Sequence, residues 1–183
     1  MEKGKIIFLN GISSAGKTTL AKTLQARLNE PFYLLAHDIF LEMVPDKYRN
    51  SDGKSVKANA VSVMRHSIRI FSDMGHCVII DDVLIKGFDW LDKYLELLHD
   101  YPVLFVHVTC PLEELRRREK ERGNRDIGQG ESQLSILNPC NTYDITVDTF
   151  NNSKEECADE IIEALNCPEK FTAFKTLWVQ RDK

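Results

Sequence analysis

One stretch of the sequence has residue types and spacing suited to binding phosphate. Residues 11–18 are GISSAGKT, which satisfies the pattern G-x-x-x-x-G-K-[ST] in full. Gly11 and Gly16 permit backbone angles at which successive N–H groups can turn towards phosphate oxygens. Lys17 would contact the β- and γ-phosphates of a nucleotide, and Thr18 would offer its hydroxyl to Mg²⁺. The motif therefore predicts ATP binding by Gly11, Ser13, Ser14, Ala15, Gly16, Lys17, Thr18 and Thr19.

A carboxylate that could act as a general base follows the second apolar run of the chain. Asp38 comes two residues after Phe32–Ala36, and ligands of open α/β sheets bind at the carboxyl ends of the strands. Asp38 could there accept the proton of a hydroxyl group that attacks phosphorus. The alternative is that Asp38 caps a helix over Ile39–Met43, which Asp also suits. We expect the adjacent His37 to be structural or to line the pocket.

Two neighbouring carboxylates follow the third apolar run. Asp81 and Asp82 come directly after Cys77–Ile80, where an aspartate can hold Mg²⁺ directly or through a water. The alternative is an acidic strand end that stabilises the next turn. Because adjacent strand residues point to opposite faces, we expect one of the pair to contact metal or substrate. The sequence leaves open which one does so.

A basic run could close over a transferred phosphoryl group. Helical spacing places Arg118, Arg122 and Arg125 on roughly one face. A glycine directly after Arg122 would allow the following polar stretch to move. Arg122 and Arg125 are therefore predicted to lie in a lid, where they would neutralise developing charge. For Arg116 and Arg117 we expect Glu–Arg pairs on a solvated helix.

The elements that must position these side chains alternate between short apolar runs and longer helical patterns. The first, third and fourth runs are almost continuously apolar, as is typical of strands buried on both faces of a parallel sheet. Alternation of this kind predicts an α/β fold of the P-loop NTPase (nucleotide-kinase-like) type, a three-layer sandwich with a five-stranded parallel sheet. The predicted strands are Ile6–Leu9, Phe32–Ala36, Cys77–Ile80, Val103–Thr109 and Tyr143–Val147, and the predicted helices are Lys17–Asn29, 57–74, Phe88–Asp100, Leu112–Arg122 and Ser153–Leu165.

Two segments do not follow this alternation. Pro45–Ser55 and Gly123–Asn141 are polar and rich in turn-forming residues, and the lid is expected over about 122–141. Farther on, Ser153 and Glu156 have the spacing of a capping box. The sequence contains no internal repeat and no linker, so we expect one domain over the whole chain.

Composition and charge limit the classes of partner. The chain has 183 residues, of which 24 are Lys or Arg and 28 are Asp or Glu, for a net charge of -4. A nucleic-acid partner is not expected, because such proteins usually carry a basic excess or a basic face. No apolar run approaches the roughly 18 residues that span a bilayer, so no membrane association is expected. The cysteines lack metal-ligand spacing, and scattered free thiols predict the reducing cytoplasm: Cys77, Cys110, Cys140, Cys157 and Cys167.

The motif set favours a small kinase among proteins with this phosphate-binding loop. A GTPase would need the guanine-binding pattern N-K-x-D, which the chain lacks. A motor or a large ATPase would need a longer chain. A small kinase needs an acceptor pocket, a general base and a lid, and the sequence offers candidates for the last two.

Several stretches together resemble the chloramphenicol phosphotransferase-like family of P-loop kinases. Their order and rough spacing hold over most of residues 5–165. The phosphate-binding loop is common to many families, whereas the third and last stretches are more specific. The matching stretches are Leu9–Thr18, His37 with Asp38, Val78–Val83, Arg122–Arg125 with Gly128, and Tyr143–Thr149.

The resemblance implies transfer of the γ-phosphoryl group of ATP to a small-molecule alcohol, with Mg²⁺ as the metal. Asp38 matches the position of the family's catalytic aspartate, and the segment that begins at Asp148 and Thr149 and ends at Ser153 would lie near the adenine. The resemblance implies the same roles as above for Lys17, Thr18, Arg122 and Arg125.

The tail of the chain and the identity of the acceptor stay open. Residues 167–183 extend past the usual end of the family and are predicted to form a packed C-terminal helix, with an oligomer contact as the alternative. A nucleoside, nucleotide or polynucleotide 5′-hydroxyl kinase and a non-enzymatic ATP-binding regulator remain alternative functions. The aromatic and aliphatic residues that support the helix are Phe171, Phe174, Leu177 and Trp178.

Overall fold

The protein forms an α/β sandwich around a parallel sheet in the computed structural model, which describes residues 2–51, 53–84, 90–122, 128–134 and 142–181. The strands are β1 (Ile6–Asn10), β2 (Phe32–Ala36), β3 (Cys77–Asp82), β4 (Val103–Thr109) and β5 (Ile145–Asp148). Within these described ranges, five parallel strands form one sheet in the order β2-β3-β1-β4-β5. The helices are α1 (Lys17–Arg27), α2 (His37–Glu42), α3 (Asp46–Ser51), α4 (Gly53–Asp73), α5 (Trp90–Leu98), α6 (Leu112–Arg122), α7 (Gln129–Leu134), α8 (Lys154–Leu165) and α9 (Ala173–Gln180).

Each face of the sheet has its own apolar core. Alternate residues of a strand point to opposite faces, so Ile6 and Phe8 pack against α4, α5 and α9. The alternate residues Ile7 and Leu9 pack on the other face, against α1 and α8. The central strand β1 is buried along its whole length, as its continuous apolarity predicts. Because all strands are parallel, their carboxyl ends meet at one edge of the sheet.

The region Pro45–Ser55 differs from the prediction of a turn-rich segment, because it forms α3 and the start of α4. Residues 46–48 are exposed, so α3 lacks the apolar stripe by which sequence patterns reveal a helix. Its first turn is closed instead by backbone bonds from Tyr48 and Arg49 to the carbonyl of Pro45. Part of the second turn-rich region, Gly123–Asn141, is likewise helical, since it contains α7.

Within the C-terminal segment, α9 covers Ala173–Gln180, and Pro168–Lys170 form a short 3-10 helix before it. Phe174 and Leu177 of α9 are buried against the core that contains β1 and β4. Asp144 holds the start of this helix, because its Oδ1 accepts hydrogen bonds from the N–H groups of Thr172 and Ala173, both at 2.8 Å. Its Oδ2 accepts from the Phe105 N–H at 2.8 Å, which ties the helix to β4. In the described ranges no helix combines the length and apolarity that a membrane crossing requires.

Candidate nucleotide and acceptor site

The loop between β1 and α1 has the backbone shape that phosphate binding requires. Gly16 has φ +95° and Ser14 has φ +65°, both in the left-handed region. Gly11 allows a second close approach, because a Cβ there would lie 2.4 Å from the Val108 carbonyl oxygen. The hydroxyl oxygen of Ser14 is buried and has no hydrogen-bond partner among the described residues. This orphaned donor fits a loop that receives a polar ligand.

Lys17, Thr18 and Asp81 form one polar group at the end of this loop. The Thr18 hydroxyl donates to Asp81 Oδ2 at 2.6 Å, and Lys17 Nζ lies 3.8 Å from Asp81 Oδ1. Lys17 also donates to the Ile12 carbonyl at 3.1 Å. The strand register brings Asp81 to Lys17 and Thr18, because Asp81 pairs with Leu9 of the neighbouring strand β1, and the loop begins just after Leu9.

Asp82 points away from this group, as the alternation of strand side chains predicts. It is 5% exposed and accepts hydrogen bonds from the Tyr94 hydroxyl at 2.6 Å and from the Val83 N–H at 2.8 Å. Burial raises the pKa of Asp82, while these two hydrogen bonds oppose the rise. Burial and the neighbouring Asp82 raise the pKa of Tyr94. A metal role for Asp82 gains no support from this position.

A cleft of about 350 Å³ opens beside the loop. Thr149 stands at its wall and donates to the Ala15 carbonyl at 2.7 Å. Thr149 in turn receives the guanidinium of Arg118, which donates to its hydroxyl at 3.1 Å and to its carbonyl at 2.8 Å. Thr19 and Lys154 also line the cleft. Thr149, the residue directly after β5, is thereby joined to the phosphate-binding loop.

Sequence reasoning assigned no role to Arg118, although the structure places its side chain in this cleft. Glu114, one helical turn earlier, accepts from Arg118 Nε at 2.8 Å and from Arg117 Nε at 2.7 Å. These two guanidinium groups lower the pKa of Glu114 to about 2. Arg117 also pairs with Glu121 of the same helix, as predicted, whereas Arg116 pairs with Glu131 of α7 and not within its own helix. The helical face shared with Arg122 was the one signal in the sequence for Arg118.

Asp38 lies at the same edge of the sheet, in the first turn of α2. The N-cap of this helix is Ala36, which makes no side-chain cap, so Asp38 is not at the capping position. The side chain of Asp38 is exposed, and that of His37 is half-buried. The Nε2 atom of His37 is buried without a hydrogen-bond partner in the described ranges.

The lid region is described in part. Arg122 ends α6, but its side chain and the whole of Arg125 lie outside the described residues. The described helix α7 reaches the phosphate-binding loop, because Gln133 Oε1 accepts from the Ser13 N–H at 2.7 Å. No motif in the sequence indicated Gln133, since an amide side chain on a polar helix has no distinctive pattern.

Comparison with known proteins agrees with this architecture. The family model described as chloramphenicol phosphotransferase-like protein matches residues 4–166. A Mycobacterium tuberculosis protein that carries a provisional O-phosphotransferase name is 32% identical over 92% of this chain and 85% of its own length.

Solved structures show the same fold at lower identity. The adenylyl-sulfate (APS) kinase CysC of Mycobacterium tuberculosis, solved with AMPPNP and APS, has a TM-score of 0.67 and 18% identity over 91% of this chain and 99% of that one. A gluconokinase of Sinorhizobium meliloti has a TM-score of 0.66 and 16% identity over 98% of both chains. These neighbours are kinases, and the five-stranded parallel arrangement of the described strands confirms the predicted fold class.

Proposed function

Because the chain belongs to the chloramphenicol phosphotransferase-like family, we propose that it transfers the γ-phosphoryl group of ATP to a hydroxyl group of a small molecule. The observation that carries the proposal is the group of Lys17, Thr18 and Asp81 beside the phosphate-binding loop. A kinase needs a cation for phosphate and oxygen ligands for a metal at one point. Both are present where the loop meets α1.

ATP would lie along the loop with its phosphates towards Lys17. The N–H groups of the loop and the start of α1 favour anionic oxygens at this point. Ser14, whose buried hydroxyl lacks a partner in the described ranges, would donate to the phosphates. The adenine would occupy the cleft beside Thr149 and Arg118, where the guanidinium plane of Arg118 could contact it.

Thr18 and Asp81 would hold Mg²⁺. Their side-chain oxygens are 2.6 Å apart, and paired hydroxyl and carboxylate oxygens fit the preference of this hard cation. When bound, Mg²⁺ would neutralise part of the triphosphate charge. We assign this role to Asp81 rather than to Asp82, which is engaged by Tyr94 on the other side of the strand.

Asp38 would act as the general base. The strand β2 that precedes it lies two strands from β1 in the sheet, a separation of roughly 10 Å at the usual strand spacing. That distance leaves room for a small acceptor between the carboxylate and the γ-phosphate. Asp38 would orient the attacking hydroxyl and take its proton. Arg122 and Arg125 remain our candidates for stabilising the charge on the transferred group.

Phosphoryl transfer is tested directly with radiolabelled ATP and a panel of alcohols, antibiotics, nucleosides and oligonucleotides. We expect labelled product from a small-molecule alcohol and none from Lys17→Ala. Transfer only to oligonucleotides would contradict the small-molecule assignment, and binding of ATP without transfer to any acceptor would favour a non-enzymatic regulator.

The role of Asp38 is tested by Asp38→Asn. This change keeps the size of the side chain but removes the base, so we expect kcat to fall by about 10²- to 10⁴-fold with an unchanged affinity for ATP. Asp46→Asn is the matched control, because Asp46 is an exposed aspartate in the first turn of the next helix. A variant Asp38→Asn with full turnover would remove this residue from the base role.

A further inference from the structure

Arg65 is a buried arginine in the core that α2, α4 and α5 share, and two of its donor atoms lack a hydrogen-bond partner in the described part of the chain. Arg65, in the middle of α4, is 5% exposed. Its Nε and Nη2 atoms are both buried, and neither has a hydrogen-bond partner in the described part of the chain. Burying donors without partners costs free energy, and a bound ligand that accepts hydrogen bonds would offset this cost.

The surroundings of Arg65 hold it in place without satisfying these donors. Its guanidinium carbon lies 4.7 Å from the centre of the Tyr94 ring and 5.7 Å from that of Trp90. The carboxylate of Asp82 is already engaged by the Tyr94 hydroxyl and the Val83 N–H. The two aromatic rings thus pack beside the guanidinium, and the charge of Arg65 opposes the rise that burial causes in the pKa of the nearby Asp82.

The elements around Arg65 are those next to the proposed base. The helix α4 packs against α2, whose first turn contains Asp38. Asp82 ends β3, the strand between β2 and β1. Arg65, whose charge acts on the pKa of Asp82 against the effect of burial, therefore lies near the carboxyl ends of β2 and β3, and β3 is the strand between the proposed base and the phosphate-binding loop.

The geometry of the unused atoms indicates what they bind. Nε and Nη2 form one edge of the guanidinium, and their N–H bonds point in parallel. That edge matches two oxygens of one carboxylate, sulfate or phosphate group. We propose that Arg65 binds an oxyanion group carried by the acceptor, so that the substrate class is a hydroxyl compound with a carboxylate, sulfate or phosphate. This inference rests on the proposed function, because it names the substrate of the same site.

The test is a binding titration that does not depend on turnover. The full chain is titrated by calorimetry with three pairs of probes: gluconate with gluconamide, shikimate with its carboxamide, and glycerol 1-phosphate with glycerol. Each titration is run with Mg²⁺ and AMP-PNP, which fill the phosphate-binding loop, and again without nucleotide. We expect the anionic member of at least one pair to bind about tenfold or more tightly than its neutral partner.

Substitution then assigns the preference to Arg65. Arg65→Gln should weaken binding of the anionic probe by about 10- to 100-fold and leave the neutral probe within about twofold. Arg65→Lys keeps the charge but not the two parallel donors, so it should also lose most of the preference. Arg69→Gln is the matched control, since Arg69 lies one turn further on α4, is exposed, and donates to the Tyr101 hydroxyl at 3.0 Å.

The outcomes separate this inference from the proposed function. Equal binding of both members in every pair, or an anion preference that survives in Arg65→Gln, overturns the inference and leaves the kinase proposal standing. Failure to bind AMP-PNP overturns the kinase proposal, while the titrations without nucleotide still decide whether Arg65 binds an oxyanion. A purely structural Arg65 would show a lowered melting temperature in Arg65→Lys with unchanged anion binding.

Discussion

The pair formed by Lys17 and Asp81 allows the energetics of the phosphate site to be measured without an acceptor substrate. Their charged atoms are 3.8 Å apart, and their side chains are 8% and 10% exposed. At an effective dielectric constant of about 20, the Coulomb attraction over this distance is about 4 kcal/mol. In Asp81→Asn this attraction is lost, but the amide oxygen can still accept from Thr18, and Lys17 keeps its bond to the Ile12 carbonyl. Because these contacts remain, we expect the free energy of unfolding to fall by about 2–3 kcal/mol, less than the roughly 3–5 kcal/mol typical of breaking a buried ion pair.

Two measurements are made in buffer with a chelator. Urea unfolding gives the free energy of unfolding, and scanning calorimetry gives the melting temperature. For a chain of this size, about 2–3 kcal/mol corresponds to a melting temperature lower by roughly 5–10 °C. Metal-free ATP should narrow the difference in melting temperature between Asp81→Asn and the parent. In the variant the triphosphate supplies a new counter-charge for Lys17, and it is not repelled by a carboxylate at position 81. Adding Mg²⁺ should strengthen ATP binding in the parent far more than in the variant, since Asp81 is a proposed ligand.

The control is the same substitution at an exposed ion pair. Asp159 pairs with Arg27, and its side chain is 58% exposed, so Asp159→Asn should cost less than about 1 kcal/mol. Two results would refute the argument that Asp81 serves as the counter-charge of Lys17. One is an Asp81→Asn variant that melts within about 2 °C of the parent; the other is a lowering of its melting temperature that ATP does not change.

Three further substitutions or modifications test other parts of the structure. Asp144→Ala removes the acceptor for three backbone N–H groups that join β4 to α9, so urea unfolding should show a loss of about 1–3 kcal/mol; an unchanged midpoint would contradict this. Arg118→Ala should weaken AMP-PNP binding about tenfold by calorimetry, because Arg118 lines the cleft and holds Thr149; equal affinity would place the adenine elsewhere. Burial raises the pKa of the Cys157 thiol to about 11, so iodoacetamide at pH 8 should modify Cys167 well before Cys157 by mass spectrometry, and equal labelling would contradict the burial.

Local patterns in the sequence predicted much of the architecture. The strands Phe32–Ala36 and Val103–Thr109 and the helix Leu112–Arg122 have the predicted bounds, because apolar runs and helical periodicity depend on residues close in sequence. The capping box of α8 is also present as predicted, with Ser153 accepting from the Glu156 N–H. The solvated helix α3 could not be predicted in this way, because it has no apolar face.

The apolar pattern of α4 could have predicted that Arg65 is buried, but not what it binds. It lies on the buried face of α4 together with Val61, Met64 and Ile68, so a charged residue interrupts an otherwise apolar stripe. That interruption was visible in the sequence. Its meaning was not, because the same spacing fits an arginine with a buried partner, and whether a partner exists depends on α5 and β3.

The sequence by itself determined the phosphate-binding loop, since eight consecutive residues with a strand before them and a helix after them suffice to shape it. Only the tertiary structure showed which of Asp81 and Asp82 lies beside Lys17 and Thr18, because the two aspartates are equivalent in the sequence. The register of β3 against β1 brings Asp81 to Thr18 and turns Asp82 towards Tyr94. The contacts of each aspartate depend on residues that are distant along the chain. Which face of a strand contacts a given partner is set only when the sheet is assembled.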